Sequence, residues 1–248
     1  MAGHSKWKQI KRQKGITDGK RSQVFTKLGR EITVAARHGG PDPEMNPRLR
    51  LAIEKAREAN MPKENVERAI NKGSGESGDA VLEEIVYEGY GPGGAAIIIE
   101  TLTDNRNRTV SDIRNAFAKA GGNLGEAGSV AWIFDTRGVI TVEADGGDPD
   151  DVALRAIDAG AEDVKVDDGA VEVYTQPQSL DDVRRVLTEA GIGVASAEVM
   201  ALPKTTVALD AHKAEQVLRL LDKLDEMDDV QRVASNADFP EEVLATYA

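Results

Sequence analysis

Apolar residues recur at helical spacing three times in the first third of the chain. Val24, Phe25, Leu28, Ile32 and Ala35 share one face of a helix expected over 18–38, while Lys20, Arg21, Lys27, Arg30 and Arg37 mostly point elsewhere. Gly39 and Gly40 end it, and Pro41 follows. Asn46 is placed to cap a second helix with Pro47 in its first turn and Leu49, Ala52, Ile53 and Ala56 as its apolar stripe. Pro62 opens a third, with Val66, Ala69 and Ile70 inward and Gly73 just past its end. Residues 18–72 therefore predict a three-helix unit, and Gly73–Gly78 reads as a flexible linker. Residues 1–16 have little periodicity and read as a mobile or partner-ordered arm.

Beyond the linker, strands and helices alternate. Val81–Tyr87 and Ala95–Thr103 predict strands joined by the turn-rich Gly89–Gly94, followed by a helix over 107–120 and a strand over Ser129–Phe134. Residues 138–202 spell a βαββαβ string. Its strand Val139–Glu143 precedes a helix capped by Asp148. Val164 and Val166 face Val171 and Val173 across an Asp167-Asp168-Gly169 turn, and Ser179 with Asp182 marks a capping box. That string predicts a ferredoxin-like split βαβ. Thr205–Leu209, a helix over 212–225 and Val230–Ala234 add one more βαβ, too little for a domain but enough to complete the sheet begun at 81–134. The expected fold is α+β: an amino-terminal three-helix unit followed by two ferredoxin-like α/β units, one inserted in the other. The boundaries expected are 1–78, then 79–136 with 204–240, then 137–203 as the insertion.

Charge changes the picture. The chain of 248 residues carries a net charge of −12, but residues 1–73 hold 17 Lys/Arg against 8 Asp/Glu, a net of +9. The remaining residues hold 14 against 35, a net of −21. Such asymmetry points to a polyanion meeting one end. There is no cysteine, which excludes disulfides, thiolate metal sites and cysteine nucleophiles. No apolar run approaches the length of a membrane span, and the first residues lack the apolar core of a secretion signal, so a cytoplasmic protein is expected.

The arm residues Lys6, Lys8, Lys11, Arg12 and Lys14 are candidate phosphate contacts, as are Lys20, Arg21, Lys27, Arg30 and Arg37 on the first helix. Trp7, among lysines, suits stacking on a base or ribose, and equally suits packing on the bundle. Arg106 and Arg108, in Asp104-Asn-Arg-Asn-Arg-Thr109, sit at a helix amino end, where an anion or an Asx-type cap would be favoured. Gly91–Gly94 lacks the phosphate-loop pattern and joins two strands, so it reads as a turn. The acidic runs at 148–151, 167–168 and 225–229 read as caps, a turn and a solvated face. No catalytic constellation, metal site or cofactor is expected. The second sheet has only Tyr174 as an aromatic on its strands, which argues against RNA binding there. The acidic units are left for a protein contact, or for orienting the basic end by repulsion.

Several stretches together resemble the YebC family of probable transcriptional regulators, which includes a mitochondrial translational activator. They are Met1–Trp7, Phe25–Arg37 (FTKLGREITVAAR), Asn46–Ala56 (NPRLRLAIEKA), Asn60–Lys63, Tyr87–Gly94 (YEGYGPGG), Leu102–Thr109 (LTDNRNRT) and Gly121–Trp132 (GGNLGEAGSVAW). The resemblance spans the whole chain. It implies a helical amino-terminal domain, two α/β domains, and a cytoplasmic function linked to nucleic acid. Some members look like DNA-binding repressors or activators, others act on the ribosome and help translation through difficult stretches. The expectation is a non-enzymatic, ribosome- or RNA-associated translation factor contacting rRNA or tRNA, with a DNA-binding transcriptional regulator as the alternative. A small-ligand-binding regulatory protein is the remaining reading.

Overall fold

The structure, a computed structural model, describes residues 18–75, 81–142, 148–167 and 170–247, with side chains from Arg21 onward and without those of Asp167 and Ala170. The basic arm, linker residues 76–78 and the tip of the expected Asp168-Gly169 turn lie outside them.

Asn46 shows how the first helices are set. Its extended backbone lets the side chain accept the Leu49 N–H, while its amide donates to the carbonyls of Ala35 (2.8 Å) and Gly40 (2.9 Å). One cap thus starts α2 (Pro47–Glu58) and ties it to the end of α1 (Asp18–Gly39). With α3 (Lys63–Gly73) these helices enclose Ile32, Ala35, Leu49, Ile53, Ala56 and Val66. Gly73 is the last residue of α3 rather than the first beyond it. A Cβ there would lie 2.3 Å from the Thr33 carbonyl oxygen, so only glycine lets α3 approach α1 this closely.

The chain divides into two compact units, one spanning Phe134–Lys204 and the other made of the residues before and after it. In the larger unit β1 (Glu83–Tyr90), β2 (Ala96–Thr103), β3 (Asn123–Leu124) and β9 (Val230–Ser235) form an antiparallel sheet in the order β3-β1-β2-β9. Helices α4 (Arg106–Ala120) and α7 (Ala211–Asp225) bury Ile113, Phe117, Leu218 and Leu221 against Ile97, Ile99 and Val233 on one face. Hydrophobic burial of side chains this size contributes about 1.5–3 kcal/mol each. The segment expected to add a βαβ supplies only β9 to this sheet. Its first strand, β8 (Val207–Ala208), pairs in parallel with β10 (Ala237–Asp238) instead. A last helix, α8 (Glu241–Tyr247), adds Val243 and Leu244 to the core.

The smaller unit runs β4 (Phe134–Val142), α5 (Pro149–Asp158), β5 (Asp163–Asp167), β6 (Ala170–Thr175), α6 (Leu180–Glu189), β7 (Val194–Pro203). Its sheet order, β5-β6-β4-β7, is that of a split βαβ, and Val164 faces Val173 and Val166 faces Val171 as the patterning predicts. The two sheets share four antiparallel strands but are wired differently, since the larger unit joins its two central strands by a direct hairpin. Ser179 does not cap α6. Its backbone is helical (φ −91°, ψ −5°), which leaves its hydroxyl out of cap geometry, and it ends a short 3-10 turn instead.

The strand expected over Ser129–Phe134 does not form before Phe134. The Glu88 carboxylate, 6% exposed, accepts the N–H groups of Gly128, Val130 and Ala131, each at 2.7 Å, and diverts them from any ladder. A 3-10 turn follows at Ala131–Ile133, and β4 starts at Phe134. Burial works against the Glu88 charge, but the three donors outweigh it and hold the carboxyl below its ordinary value of 4.5. Its stabilisation is therefore full above that value and is lost as pH falls through the lower folded-state value. Glu88→Gln places an amide among N–H donors and is expected to cost about 2–3 kcal/mol at pH 7 in urea unfolding. The difference from the parent should shrink below pH 4; a difference independent of pH would contradict the role given to the charge.

Candidate nucleic-acid interface

The basic residues of α1 divide by direction. Lys27 and Arg30 point at the acidic turn between α7 and β9. Lys27 Nζ donates to the Asp225 carbonyl oxygen and pairs with its carboxylate at 3.6 Å. Arg30 Nη1 donates to the carbonyls of Asp228 (2.9 Å) and Leu102 (3.0 Å) and to the Asp229 carboxylate. Gln23, one turn earlier, donates to the Glu226 carbonyl at 3.0 Å. The helical body is thereby joined to the sheet.

Asp229 is the centre of this seam. It is 7% exposed, and besides Arg30 its carboxylate accepts from Arg108 Nη2 (2.9 Å), the Thr109 hydroxyl (2.6 Å) and the Thr103 hydroxyl (3.2 Å). Its own carbonyl accepts the Leu102 N–H at 2.8 Å. Burial opposes the charge, but Thr109, Arg108 and Arg30 together keep the carboxyl below its usual range. The acidic run at 225–229, expected as a solvated face, thus contains a buried hub. A second seam lies at the start of β1. Arg48 donates to Glu31 on α1 (2.9 Å) and, through both terminal nitrogens, to Glu84 on β1 (3.0 Å each). His38 lies 3.1 Å from the same Glu84 carboxylate.

Arg108 also bonds Asp104 at 2.8 Å, and Asn105 caps α4 by accepting the Arg108 N–H at 3.1 Å. The Asp104–Thr109 segment therefore holds an Asx cap and half of the Asp229 clamp. Arg106, the first residue of α4, is exposed. Arg21 is exposed near the start of α1, and Arg37 is half-buried in its last turn. The Lys20 side chain, and all of Lys6, Trp7, Lys8, Lys11, Arg12 and Lys14, lie outside the described residues. The structure thus gathers Lys27, Arg30 and Arg108 on one acidic turn, and leaves Arg21, Arg37 and Arg106 apart from that cluster.

Two basic residues that sequence patterning passed over, Arg68 and Lys72, line a groove between α1 and α3. Their spacing of four was visible, but nothing in the sequence says that this stripe faces α1. The outer surface of α3 also carries exposed Glu64 and Glu67, with Lys63 paired to Glu67 at 3.4 Å. Carboxylates there would oppose the phosphates that flank a recognition helix in a DNA groove.

Removing Asp229 leaves two guanidinium groups facing each other without their shared counter-charge. Asp229→Ala is expected to cost about 3–5 kcal/mol in urea unfolding, and adding Arg30→Ala to it should cost less than Arg30→Ala costs alone. Strict additivity of the two would contradict the clamp.

The larger comparison is with known proteins. The family model for the second and third domain of TACO1/YebC proteins matches residues 82–237, and the model for their N-terminal domain matches residues 5–76. A probable transcriptional regulatory protein of Dehalococcoides mccartyi is 56% identical over 247 residues, covering 100% of this chain and 98% of the relative. One from Dictyoglomus turgidum is 52% identical over 245 residues, covering 98% of each. A crystal structure of a conserved hypothetical protein from Aquifex aeolicus superposes with a TM-score of 0.84 at 47% identity, covering 92% of this chain and 94% of that one. Helical body, four-stranded sheet and inserted split βαβ thus come with matches along nearly the whole length, and the chain belongs to the TACO1/YebC family.

Proposed function

We propose that this chain is a non-enzymatic regulator of gene expression that binds nucleic acid through its first 73 residues, acting on rRNA or tRNA at the ribosome to help elongation through difficult stretches. The observation that carries the reading is the partition of charge, +9 in residues 1–73 against −21 in the rest. Clamp formation uses Lys27 and Arg30, so the weight of the proposal falls on the arm, with Lys20, Arg21 and Arg37 beside it. Sequence-independent phosphate contacts of this kind release counterions and give affinity that falls steeply with salt. The acidic units would repel a polyanion and so orient the basic end toward it. They also offer a surface for a protein contact, including one on the ribosome.

RNA is favoured over duplex DNA because the donors of α3, Asn65, Arg68 and Lys72, line the groove against α1, whereas its outer surface carries Glu64 and Glu67. Shape and backbone recognition of structured RNA needs no such helix. The relatives' names, probable transcriptional regulatory proteins, speak for transcription; the second reading adds DNA as the ligand. Binding of the full chain to a structured rRNA fragment and to duplex DNA of equal length, measured against salt, separates the two. Tighter RNA binding across the salt range is expected; tighter DNA binding would favour the second reading, and no binding to either would refute both.

Changing Lys11, Arg12 and Lys14 together to Ala is expected to reduce the slope of log affinity against log salt by about 2–3, since each phosphate contact contributes about 0.7–0.9. Trp7→Ala is expected to weaken binding by ~1–3 kcal/mol with little change of slope if the ring stacks on a base. A lowered melting temperature with unchanged affinity would instead make Trp7 a packing anchor. An unaltered slope in the triple variant would remove the arm from the interface.

A further inference from the structure

Between α1 and α3 runs an open groove of about 470 Å³, within the size range of small-ligand sites. Phe25 and Met61, both half-buried, give it apolar surface, and Asn65, Arg68 and Lys72 follow one another along a single stripe of α3. The Asp104 carboxylate in its wall is neutralised by Arg108, and Arg30 by Asp229.

Gly29 lies in this groove, in the middle of a 22-residue helix. Glycine is the poorest helix former after proline, so its presence there needs a cause. The backbone supplies none, because Gly29 is not among the residues with positive φ. Packing supplies none either: an added Cβ would meet Met61 Cε at 3.9 Å, an ordinary contact. Gly73, on the facing helix, is the opposite case, with no room for any side chain. A larger side chain at position 29 would project into the groove, and glycine leaves that space open.

We propose that this groove receives one unpaired nucleotide of an RNA strand, an inference that rests on the nucleic-acid reading above. The base would lie on the Phe25 ring and the Met61 thioether, with its edge toward the Asn65 amide. The flanking phosphates would meet Arg68 and Lys72, one helical turn apart. A base stacked in a duplex offers no free face to such a surface, so the groove selects single-stranded segments. On the α1 side the Thr26 hydroxyl donates to the Ser22 carbonyl at 3.0 Å and keeps lone pairs able to accept from a ribose 2′-OH, and the Ser22 hydroxyl lies beside it.

The test uses the full chain with a labelled 12-nucleotide oligouridine and a 12-base-pair RNA duplex, read by fluorescence anisotropy, alongside melting temperatures. Gly29→Leu fills the groove and improves helix propensity. It is expected to hold or raise the melting temperature, to weaken oligouridine binding at least about tenfold, and to change duplex binding less than about twofold. Arg68→Ala, at an exposed position, is expected to weaken oligouridine binding and lower its salt slope by about 0.7. Should Gly29→Leu fail to fold, Arg68→Ala and Asn65→Ala decide. Parental oligouridine affinity in the folded variants would overturn the inference and leave the function reading intact, as would duplex binding without oligouridine binding by the parent. No binding of the parent to any RNA or DNA would overturn both.

Discussion

Burying a carboxylate costs several kcal/mol unless donors surround it, and Asp229 is buried among three elements that together supply four. Arg30 comes from α1, Arg108 and Thr109 from α4, and Thr103 from the end of β2. Each would be poorly satisfied without the carboxylate, and the carboxylate without them. The helical body owes its seat on the sheet to this mutual dependence, reinforced by Lys27 and Gln23 on the same turn and by Arg48 bridging to Glu84. Apolar burial builds each body from within; the named links of the α1–α3 helical body to the sheet are ionic and charge-assisted.

The clamp changes how the charge asymmetry of the chain is understood. Opposite charges on the first helix and the α7–β9 turn are partly an internal adhesive. A count of basic residues therefore overstates the positive surface offered to a partner. Outside the clamp, Arg68 and Lys72 lie along α3, Arg21 near the start of α1 and Arg106 at the start of α4. Family membership supports regulation of gene expression, and the partition of charge is what supports the proposal that nucleic acid is the ligand.

Much of the fold was legible because periodicity is a local property. The α1–α3 stripes, the Asn46 cap, the βαββαβ string and the Val164–Val173 pairing all follow from residues near one another in sequence. Failures came where a distant group intervened. Glu88 captures the N–H groups of Gly128, Val130 and Ala131 from forty residues away and cancels a strand that the local pattern favoured. Gly73 looked like a helix stop but answers to the Thr33 carbonyl on another helix. In the acidic run at 225–229 composition cannot say which member is buried; only the approach of α1 selects Asp229. The seven residues of α8 are too few to show a period. At the candidate interface the residue types were readable, whereas their directions, which separate Arg30 from Arg68, were not.

Native-state hydrogen exchange tests the clamp's central consequence most directly, because it reports whether the helical body and the sheet open together. The slowest amides of α1, around Val34 and Ala35, should share an opening free energy with those of β2 and β9, around Ile99 and Val233, to within about 1 kcal/mol. Exchange of the α1 amides through an opening about 3 kcal/mol or more lower, with the sheet still closed, would show that the helices stand on their own and that Asp229 does not hold them.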